Sequence, residues 1–342
     1  MTILGIETSC DETSAGVITA NKNDANVTVL SNIIATSLSL HTKTGGIIPE
    51  VAAREQIKYI IPVIERSLIK ANVKLSDIDS IAVTIGPGLI GSLLVGVETA
   101  KTLAFILQKP ITAVNHLFGH IYANFIISEN EEKKKIEFPA LALIVSGGHT
   151  DLVLIKTHGK IEWLGGTRDD AAGEALDKIG RLLDLPYPAG PVIEKLSVKG
   201  DSKKYNFPRP LISSNDLDFS FSGLKTAVLR QVNSMPKLNE QDIANICAST
   251  QKAIIDTLLA KTIKAAKEYK TKSILLGGGV AANQMLKNNL ILVASSISNV
   301  KVFVPQKSLC TDNAAMIAAA GFFNYQNLTW KNIEANPELY FA

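Results

Sequence analysis

Two distant segments of the chain share one pattern of strands around a turn. Residues 3–19 and 141–156 each contain a β-branched run, a turn of small hydroxylated and glycine residues, and a second β-branched run. This pattern predicts a β-hairpin in each segment, and each is followed by a third β-like piece and then by helices. The repetition indicates a duplicated α/β domain whose second copy begins near Pro139.

The rest of the chain alternates between strand-like and helix-like segments. Strands are predicted in 80–88, 272–277 and 300–306, and helices in 89–107 and 311–323. Such alternation is typical of open, mixed sheets covered by helices on both faces. The region 165–236 is richer in glycine, proline, serine and aspartate, and it predicts a helical insertion in the second lobe.

Composition limits the class of protein without identifying it. A chain of 342 residues exceeds the size at which one core stops growing, so two domains are expected. The net charge is only +3, and no long basic run marks a nucleic-acid surface. Three scattered cysteines predict no disulfide framework. The chain begins directly with a strand and carries no long apolar span, so we expect a cytoplasmic protein without membrane contact.

The stretch NHLFGH places His116 and His120 four residues apart, on one face of a predicted helix. The pair predicts either a metal site or two half-buried structural histidines. The best third ligand is Asp312, although Thr311, Asp312 and Asn313 are also ordinary helix N-caps. Cys310 could be a fourth ligand or simply a buried thiol. Two histidines and a carboxylate suit iron(II) or zinc acting on a substrate.

Three glycine-rich turns follow or join predicted strands: GIETSCDETS, VSGGHT and LGGGVAAN. Glycines such as Gly147 and Gly278 let the backbone approach a phosphate closely, so the three turns predict a nucleotide cleft between two lobes. None matches a P-loop or a GxGxxG fingerprint. A zinc protease is excluded because the HExxH glutamate is replaced by Leu117.

Nine motifs together carry a resemblance to a known family. The chain resembles the bacterial tRNA threonylcarbamoyladenosine transferases, formerly described as glycoproteases, over about residues 4–323. The motifs occur in order as GIETSCDETSAGV, GGIIPEVAAREQ, GPGLIGSLLVG, NHLFGH, VSGGHT, DDAAGEALDKIGRLL, FSFSGLKTA, GGGVAAN and TDNAAMIA.

The resemblance implies a fold and an activity. The fold would be α/β, with two duplicated RNase H-like lobes related to actin, Hsp70 and sugar kinases. We expect an N-terminal lobe at 1–112, with a C-terminal helix at 324–342 packing back on it. The C-terminal lobe at 113–323 would carry the metal and nucleotide site. The enzyme would be an acyltransferase that moves the threonylcarbamoyl group of threonylcarbamoyl-AMP to the N6 amine of adenosine 37, releasing AMP, in tRNAs that read codons starting with A.

The resemblance also implies site residues. The metal ligands would be His116, His120 and Asp312. Substrate and nucleotide contacts would fall on Ile144, Val145, Ser146, Gly147, Gly148, Asp177, Gly190 and Asn283. Some relatives carry an aspartate where this chain has Glu194, which we leave out of the set. Asp11 and Glu12, at the tip of the first hairpin, are candidates for a general base or for orienting water and metal, or they merely solvate the turn. His149 could donate to the acyl phosphate or only cap its turn.

Cofactors and partners follow from the same resemblance. We expect one divalent metal per chain, iron(II) in preference to zinc, and ATP, ADP or AMP in the substrate cleft. The expected partners are tRNA, an inactive paralogue of the same fold bound through the first lobe, a small ATPase, and a threonylcarbamoyl-AMP synthase that supplies the substrate. A smooth stripe of Gly96, Ala100 and Ala104 predicts the paralogue contact, unless it packs against the chain's own sheet. An ATPase or phosphotransferase of the same fold, or a non-catalytic scaffold, remains the alternative.

Overall fold

The computed structural model describes residues 1–42 and 45–341. Contacts divide the chain into two compact units. The first comprises Met1–Ile136 and Pro305–Ala342, and the second comprises Glu137–Val304. The division therefore differs from the expected boundary after residue 112, because the segments on either side of the second unit fold together.

The first unit is built on a mixed sheet. Its strands are β1 (Thr2–Glu7), β2 (Glu12–Thr19), β3 (Val27–Thr36), β4 (Ser80–Gly86), β5 (Ile111–Asn115) and β6 (Ile126–Ile127). They lie in the order β5-β4-β1-β2-β3-β6. β4 is parallel to β1 and β5, whereas β2 is antiparallel to β1 and β3. The central strands are buried along nearly their whole length, which explains their continuous apolar runs.

The second unit repeats this arrangement. Its strands are β7 (Ala140–Val145), β8 (Thr150–Thr157), β9 (Lys160–Gly166), β10 (Ser273–Gly277) and β11 (Lys301–Phe303), in the order β11-β10-β7-β8-β9. Their directions match those of β5-β4-β1-β2-β3, with β7, β10 and β11 parallel and β8 antiparallel to its neighbours. The predicted duplication and α/β fold class are confirmed.

The helices follow the same chain order. They are α1 (Leu38–His41), α2 (Pro49–Ala71), α3 (Ile90–Leu107), α4 (His116–Tyr122), α5 (Ala172–Leu182), α6 (Ala189–Ser197), α7 (Ser222–Asn233), α8 (Glu240–Glu268), α9 (Gln284–Ala294) and α10 (Ala314–Phe323). The expected insertion at 165–236 holds α5, α6 and α7 in the second unit. By length and composition alone, α3 could cross a membrane; a third of it is buried within the protein.

Helix α10 explains why the last segment returns to the first unit. Most of its residues are alanine or glycine, almost all of them are buried, and it packs on β1, β2 and α4. The approach is close because the strands carry glycines at the contact. A Cβ at Gly5 would lie 2.1 Å from the carbonyl oxygen of Ala314, and one at Gly16 would lie 2.9 Å from the nitrogen of Ala315. Only residues without a side chain allow this contact.

The C-terminal helix expected at 324–342 is wrong. The described residues of this segment contain one short 3-10 turn, at Trp330–Asn332, and are otherwise non-helical. The segment does run along the first unit, where Leu328 pairs with Ile111 at the edge of β5 and the nitrogen of Asn336 donates to the carbonyl oxygen of Ile85. The edge strand has unpaired backbone N–H and C=O groups, and this segment forms hydrogen bonds with them instead of forming the internal hydrogen bonds of a helix.

The small-residue stripe of α3 faces inward, so the prediction that it binds a partner is wrong. Gly96, Ala100 and Ala104 are buried in the first unit. A Cβ at Gly96 would lie 2.3 Å from Oγ1 of Thr8, so the smooth surface allows close packing within the chain itself. The same helix exposes Leu94 on its other side.

Candidate metal centre and glycine-rich turns

The two histidines of NHLFGH are presented by a strand that leads directly into a helix. β5 ends at Asn115, whose side-chain oxygen accepts a hydrogen bond from the nitrogen of Leu117 at 2.8 Å and so caps α4. His116 and His120 then lie one turn apart on a buried face. Their ring centroids are 4.7 Å apart. The first unit therefore carries this pair, not the second, where the whole site was expected.

Asp312 completes a group of three possible ligands in the first unit. Its Oδ1 lies 3.5 Å from Nε2 of His116 and 3.3 Å from Nε2 of His120. One ligand atom from each of the three residues lies within 4.8 Å of the others. The histidines are buried, while the Asp312 side chain is 23% exposed, so the group reaches solvent through the carboxylate. The loop before α10 places Asp312 here because α10 returns to the first sheet.

Glu7 is a buried carboxylate beside this group that sequence reasoning missed. Its Oε2 lies 3.0 Å from Nδ1 of His116 and accepts a hydrogen bond from Oγ1 of Thr84 at 2.6 Å. Its Oε1 accepts from the nitrogen of Ser9 at 2.5 Å. A carboxylate on Nδ1 fixes the orientation of an imidazole and leaves Nε2 free as a ligand. The sequence signal was a glutamate at the end of an otherwise apolar strand.

The electrostatics of the two histidines differ. Burial lowers the pKa of His116, but the nearby Asp312 and Glu7 carboxylates outweigh it and raise the pKa to about 9. Burial lowers the pKa of His120. Both ring nitrogens of His120 are buried; Nδ1 has no hydrogen-bond partner among the described residues, and Nε2 has the Asp312 carboxylate as its neighbour at 3.3 Å. A buried imidazole next to a second imidazole and a carboxylate fits a divalent transition metal.

Glu12 interacts with the Asp312 carboxylate and with Asp11, the residue that precedes it in the chain. Asp11 is buried, and its carbonyl oxygen accepts hydrogen bonds from the backbone nitrogen and Oγ of Ser37. Glu12 begins β2. Burial, and then the charges of Asp312 and Asp11, raise the pKa of Glu12 to about 10. Glu12 is therefore protonated near neutral pH in the absence of a metal.

Cys310 does not join the ligand group. Its thiol is buried and points to the carbonyl oxygens of Pro305 and Gln306, at 3.8 and 3.6 Å. The alternative of a buried structural thiol therefore describes Cys310 better than that of a fourth ligand.

The VSGGHT turn forms a closed backbone loop at the end of β7 in the second unit. The nitrogen of Ser146 donates to the carbonyl oxygen of His149 at 2.8 Å, and the nitrogen of His149 donates to Oγ of Ser146 at 3.1 Å. Gly147 and Gly148 at the tip are exposed, and a Cβ on either would meet no atom within 4 Å. The space beside the tip is open to a ligand, whereas Ile144 and Val145 are buried in the strand.

Two further glycines bring neighbouring elements against this turn. Gly278 has a φ of +89°, and a Cβ there would lie 2.3 Å from the carbonyl oxygen of Val145. A Cβ at Gly173, in α5, would lie 2.5 Å from the carbonyl oxygen of Ser146. Gly278 thus serves packing and an unusual backbone conformation, not open access to a ligand. The adjacent Gly279 does face open space.

The remaining expected contacts lie at helix starts of the second unit. Oδ1 of Asp177 accepts a hydrogen bond from the nitrogen of Ala189 at 2.7 Å. Burial raises the pKa of Asp177, against backbone hydrogen bonds from Ala189 and Gly190. The Asn283 side chain caps α9 and donates to Oε1 of Gln251 at 2.8 Å.

Glu194 lies next to this second group. Its Oε1 accepts a hydrogen bond from the nitrogen of Gln284 at 2.7 Å, at the start of α9. Glu194, which replaces the aspartate of some relatives, therefore forms a hydrogen bond with the residue that follows Asn283.

Comparisons with known proteins point to one family. A family model described as TsaD, tRNA N6-adenosine threonylcarbamoyltransferase, matches residues 28–319. A protein of that name from Syntrophomonas wolfei is 46% identical over 98% of this chain and 95% of its own length. One from Thermosipho africanus is 47% identical over 99% of both chains. The crystal structure of full-length HypF aligns with a TM-score of 0.59 at 14% identity, over 94% of this chain and 46% of HypF, which shows a shared fold.

Proposed function

This chain belongs to the tRNA N6-adenosine threonylcarbamoyltransferase family, and from that premise we propose how its residues carry out the transfer. It is an acyltransferase that places a threonylcarbamoyl group on the N6 amine of a tRNA adenosine. We assign threonylcarbamoyl-AMP as the donor, adenosine 37 as the acceptor and AMP as the leaving group. The observation that carries this assignment is identity of 46–47% with transferases over nearly the whole chain.

The chemistry defines what the site has to supply. The N6 amine of adenine is a weak nucleophile because its lone pair is delocalised into the ring. The donor must therefore be activated, which a mixed anhydride of a carbamate and AMP achieves through its good leaving group. The protein adds stabilisation of the developing oxyanion, a proton acceptor for the amine, and alignment of the two substrates.

In the first unit, His116, His120 and Asp312 are the proposed ligands of one divalent metal. Two histidines and a carboxylate favour iron(II), with zinc as the alternative. When bound, the metal would polarise the acyl carbonyl and stabilise negative charge on the phosphate. Glu7 holds Nδ1 of His116, so that its Nε2 remains directed at Asp312.

Asp11 and Glu12 are the proposed proton acceptors of the first unit. The amine must lose a proton as it attacks the carbonyl, and a base with an ordinary carboxylate pKa would bind that proton weakly. Burial and the charge of Asp312 raise the pKa of Glu12 far above that of a free glutamate, so Glu12 holds a proton in the metal-free chain. A cation bound at Asp312 would favour the ionised form, which is the form that can accept the proton of the amine. Asp11, the preceding residue, contributes to that shift and is the alternative acceptor.

In the second unit, the Ser146–His149 turn is the proposed phosphate-binding element. Its open glycines allow backbone N–H groups to approach the adenylate phosphate without interference from a side chain. We propose that His149 donates a hydrogen bond to the acyl phosphate. Asp177, Gly190 and Asn283 would contact the remaining parts of the substrate and of ATP, ADP or AMP.

The partners are tRNA, which is the substrate named for the family, and three proteins that we propose. A same-fold inactive paralogue would bind the first unit, a small ATPase would act with the pair, and a synthase would supply threonylcarbamoyl-AMP. The apolar surface that favours the paralogue contact is the exposed side of α2 and α3, where Ile57, Ile61 and Leu94 are 65%, 53% and 45% exposed. We place these reactions in the cytoplasm.

One reaction tests the proposed function. The purified chain, with its paralogue and ATPase, is incubated with threonylcarbamoyl-AMP and an unmodified tRNA transcript, and the digested nucleosides are analysed by mass spectrometry. We expect N6-threonylcarbamoyladenosine in the wild-type transcript and none in a transcript with guanosine at position 37. In a parallel reaction, the chain alone is incubated with ATP. Hydrolysis there, without the modified nucleoside in the full mixture, would favour an ATPase, and the absence of both would favour a scaffold.

A further inference from the structure

A pocket of about 760 Å³ on the second unit is lined by four lysines that are dispersed in the sequence. Lys267 lies in the last turn of α8, Lys270 in the turn after it, Lys272 immediately before β10, and Lys301 at the start of β11. β10 and β11 are parallel, and the nitrogen of Lys301 donates to the carbonyl oxygen of Lys272 at 3.2 Å. The chain turn after α8 brings the other two lysines to the same edge of the sheet.

The lysines of this pocket outnumber its carboxylates. All four lysines are exposed, and none forms an ion pair with a described residue. Glu137 is the carboxylate in the lining, and the amide of Asn299 adds a hydrogen-bonding group. Isolated lysines on a surface are common, but four around one concave surface create a positive potential that attracts polyanions.

The charge of the chain is concentrated in the unit that carries this pocket. Residues 137–304 contain 21 lysines and arginines against 16 aspartates and glutamates, a net charge of +5. The remaining residues contain 14 against 16, a net charge of −2. The overall value of +3 conceals this difference. A basic domain with a lysine cluster is the electrostatic signature of nucleic-acid binding.

We propose that this lysine pocket binds backbone phosphates of the tRNA substrate. The inference rests on the proposed function, which supplies a polyanion of the right chemistry. The pocket lies at the start of β10, whereas the Gly278 turn follows the end of that strand, so the pocket is distinct from the proposed adenylate contacts. Lysines contact phosphates as mobile point charges without reading bases, which suits an enzyme that must accept several tRNAs.

The test measures tRNA affinity of the full chain, in the same mixture that forms the modified nucleoside. One variant replaces Lys267, Lys270, Lys272 and Lys301 with alanine. A matched control replaces four other exposed lysines of the second unit with alanine, at Lys195, Lys199, Lys203 and Lys204. The Kd for unmodified tRNA is measured by fluorescence anisotropy at salt concentrations from about 50 to about 250 mM, a range over which the release of counterions changes the affinity strongly.

We expect the pocket variant to lose about 3 from the slope of log Kd against log salt concentration, since each of four phosphate contacts contributes roughly 0.7–0.9. Its tRNA binding should be at least about tenfold weaker than that of the wild type at the lowest salt concentration, and the difference should shrink as salt is added. Replacement of the same lysines with arginine should restore most of the affinity. The control variant should change little. Equal loss in both alanine variants, or none in the pocket variant, would overturn the proposal.

Three further outcomes distinguish failure of the pocket proposal from failure of the proposed function. If pyrophosphate at constant ionic strength abolishes the difference between wild type and pocket variant at stoichiometric amounts, the pocket is a small-anion site, and the proposal fails. If the wild-type mixture forms the modified nucleoside while the pocket variant binds tRNA normally, the pocket proposal fails alone. If the wild-type mixture neither binds nor modifies tRNA, the proposed function fails with it.

Discussion

Substitution of Glu7 with glutamine tests how the candidate metal centre is oriented. Glutamine keeps the size of the side chain and its bond to Thr84, but it removes the negative charge beside His116. Its amide can also rotate so that an N–H group faces Nδ1, which would favour the tautomer with the proton on Nε2. That tautomer cannot use Nε2 as a ligand. We therefore expect Glu7→Gln to weaken metal binding without altering any of the three ligands.

The expected magnitude follows from the contacts of Glu7. Loss of a hydrogen-bonding partner behind a ligand typically costs 10- to 100-fold in metal affinity, or about 1.4–2.7 kcal/mol. Glu7 also raises the pKa of His116 toward about 9, so a proton competes with the metal at neutral pH. Removing the charge relieves part of this competition. The loss of affinity should therefore be larger at pH 8.5 than at pH 7.0.

The assay is a competition titration of zinc or cobalt between the chain and a chelator of known affinity, at both pH values. Thr84→Val is the control, because it removes a donor to Glu7 while leaving the carboxylate on His116; its effect should be smaller. Circular dichroism establishes that each variant is folded. Identical metal affinity of Glu7→Gln and wild type at pH 8.5 would refute the orienting role of Glu7.

Three further predictions concern the glycine-rich turns, Glu12 and the proposed paralogue surface. Gly147→Val should abolish AMP binding in calorimetry with little change in Tm, because the space beside Gly147 is open. Gly278→Val should lower Tm strongly, because its side chain would collide with Val145. Normal AMP binding by folded Gly147→Val would contradict the proposal that the Ser146–His149 turn binds phosphate. Glu12→Gln should raise the free energy of unfolding of the chelator-stripped chain on the order of 2 kcal/mol at pH 7, measured by urea unfolding, and by less as the pH falls toward 4.5. A carboxyl pKa that is raised on folding destabilises the folded chain only at pH values above the pKa of that group in the unfolded chain. A difference in stability that does not change with pH would count against the raised pKa of Glu12. Ala100→Arg should unfold the first unit, because Ala100 is fully buried. Ile57→Arg should leave Tm unchanged, because Ile57 is exposed, but the variant should no longer co-purify with the paralogue. Co-purification of Ile57→Arg with the paralogue would show that α2 is not part of the interface.

Local patterns in the sequence predicted the individual elements well. The hairpins at 3–19 and 141–156 were recognisable because β-branched runs meet at glycine and serine turns, and both signals depend only on neighbouring residues. α3 and α10 were recognisable from their continuous apolar composition. The duplication, with its two matching strand orders, could be inferred because each copy repeats these local signals.

Contacts between distant residues could not be predicted in the same way. α10 packs on the first sheet because Gly5 and Gly16 allow its approach, and no local pattern shows that glycines 300 residues earlier are its partners. The tail at 324–341 lacks a helix because an edge strand offers its backbone groups. Glu7 looked like the end of a strand until His116 was placed beside it. The lysine pocket likewise exists only once β10 and β11 are paired.

The candidate ligands illustrate both situations. His116 and His120 could be paired from their spacing, because four residues make one helical turn. Asp312, nearly 200 residues later, came from its position before a helix and from the family resemblance. The structure brings its carboxylate to 3.3 Å from His120, which spacing alone could not show.

The metal content of the chain shows whether His116, His120 and Asp312 form a metal centre. Protein purified without chelator is analysed by inductively coupled plasma mass spectrometry as wild type, as His120→Ala and as His158→Ala, a half-buried histidine of the second unit. We predict about one transition metal per chain in wild type and His158→Ala, and almost none in folded His120→Ala, because the loss of one of three ligands leaves too few donors. Full metal content in His120→Ala would contradict the assignment of His116, His120 and Asp312 as the metal centre.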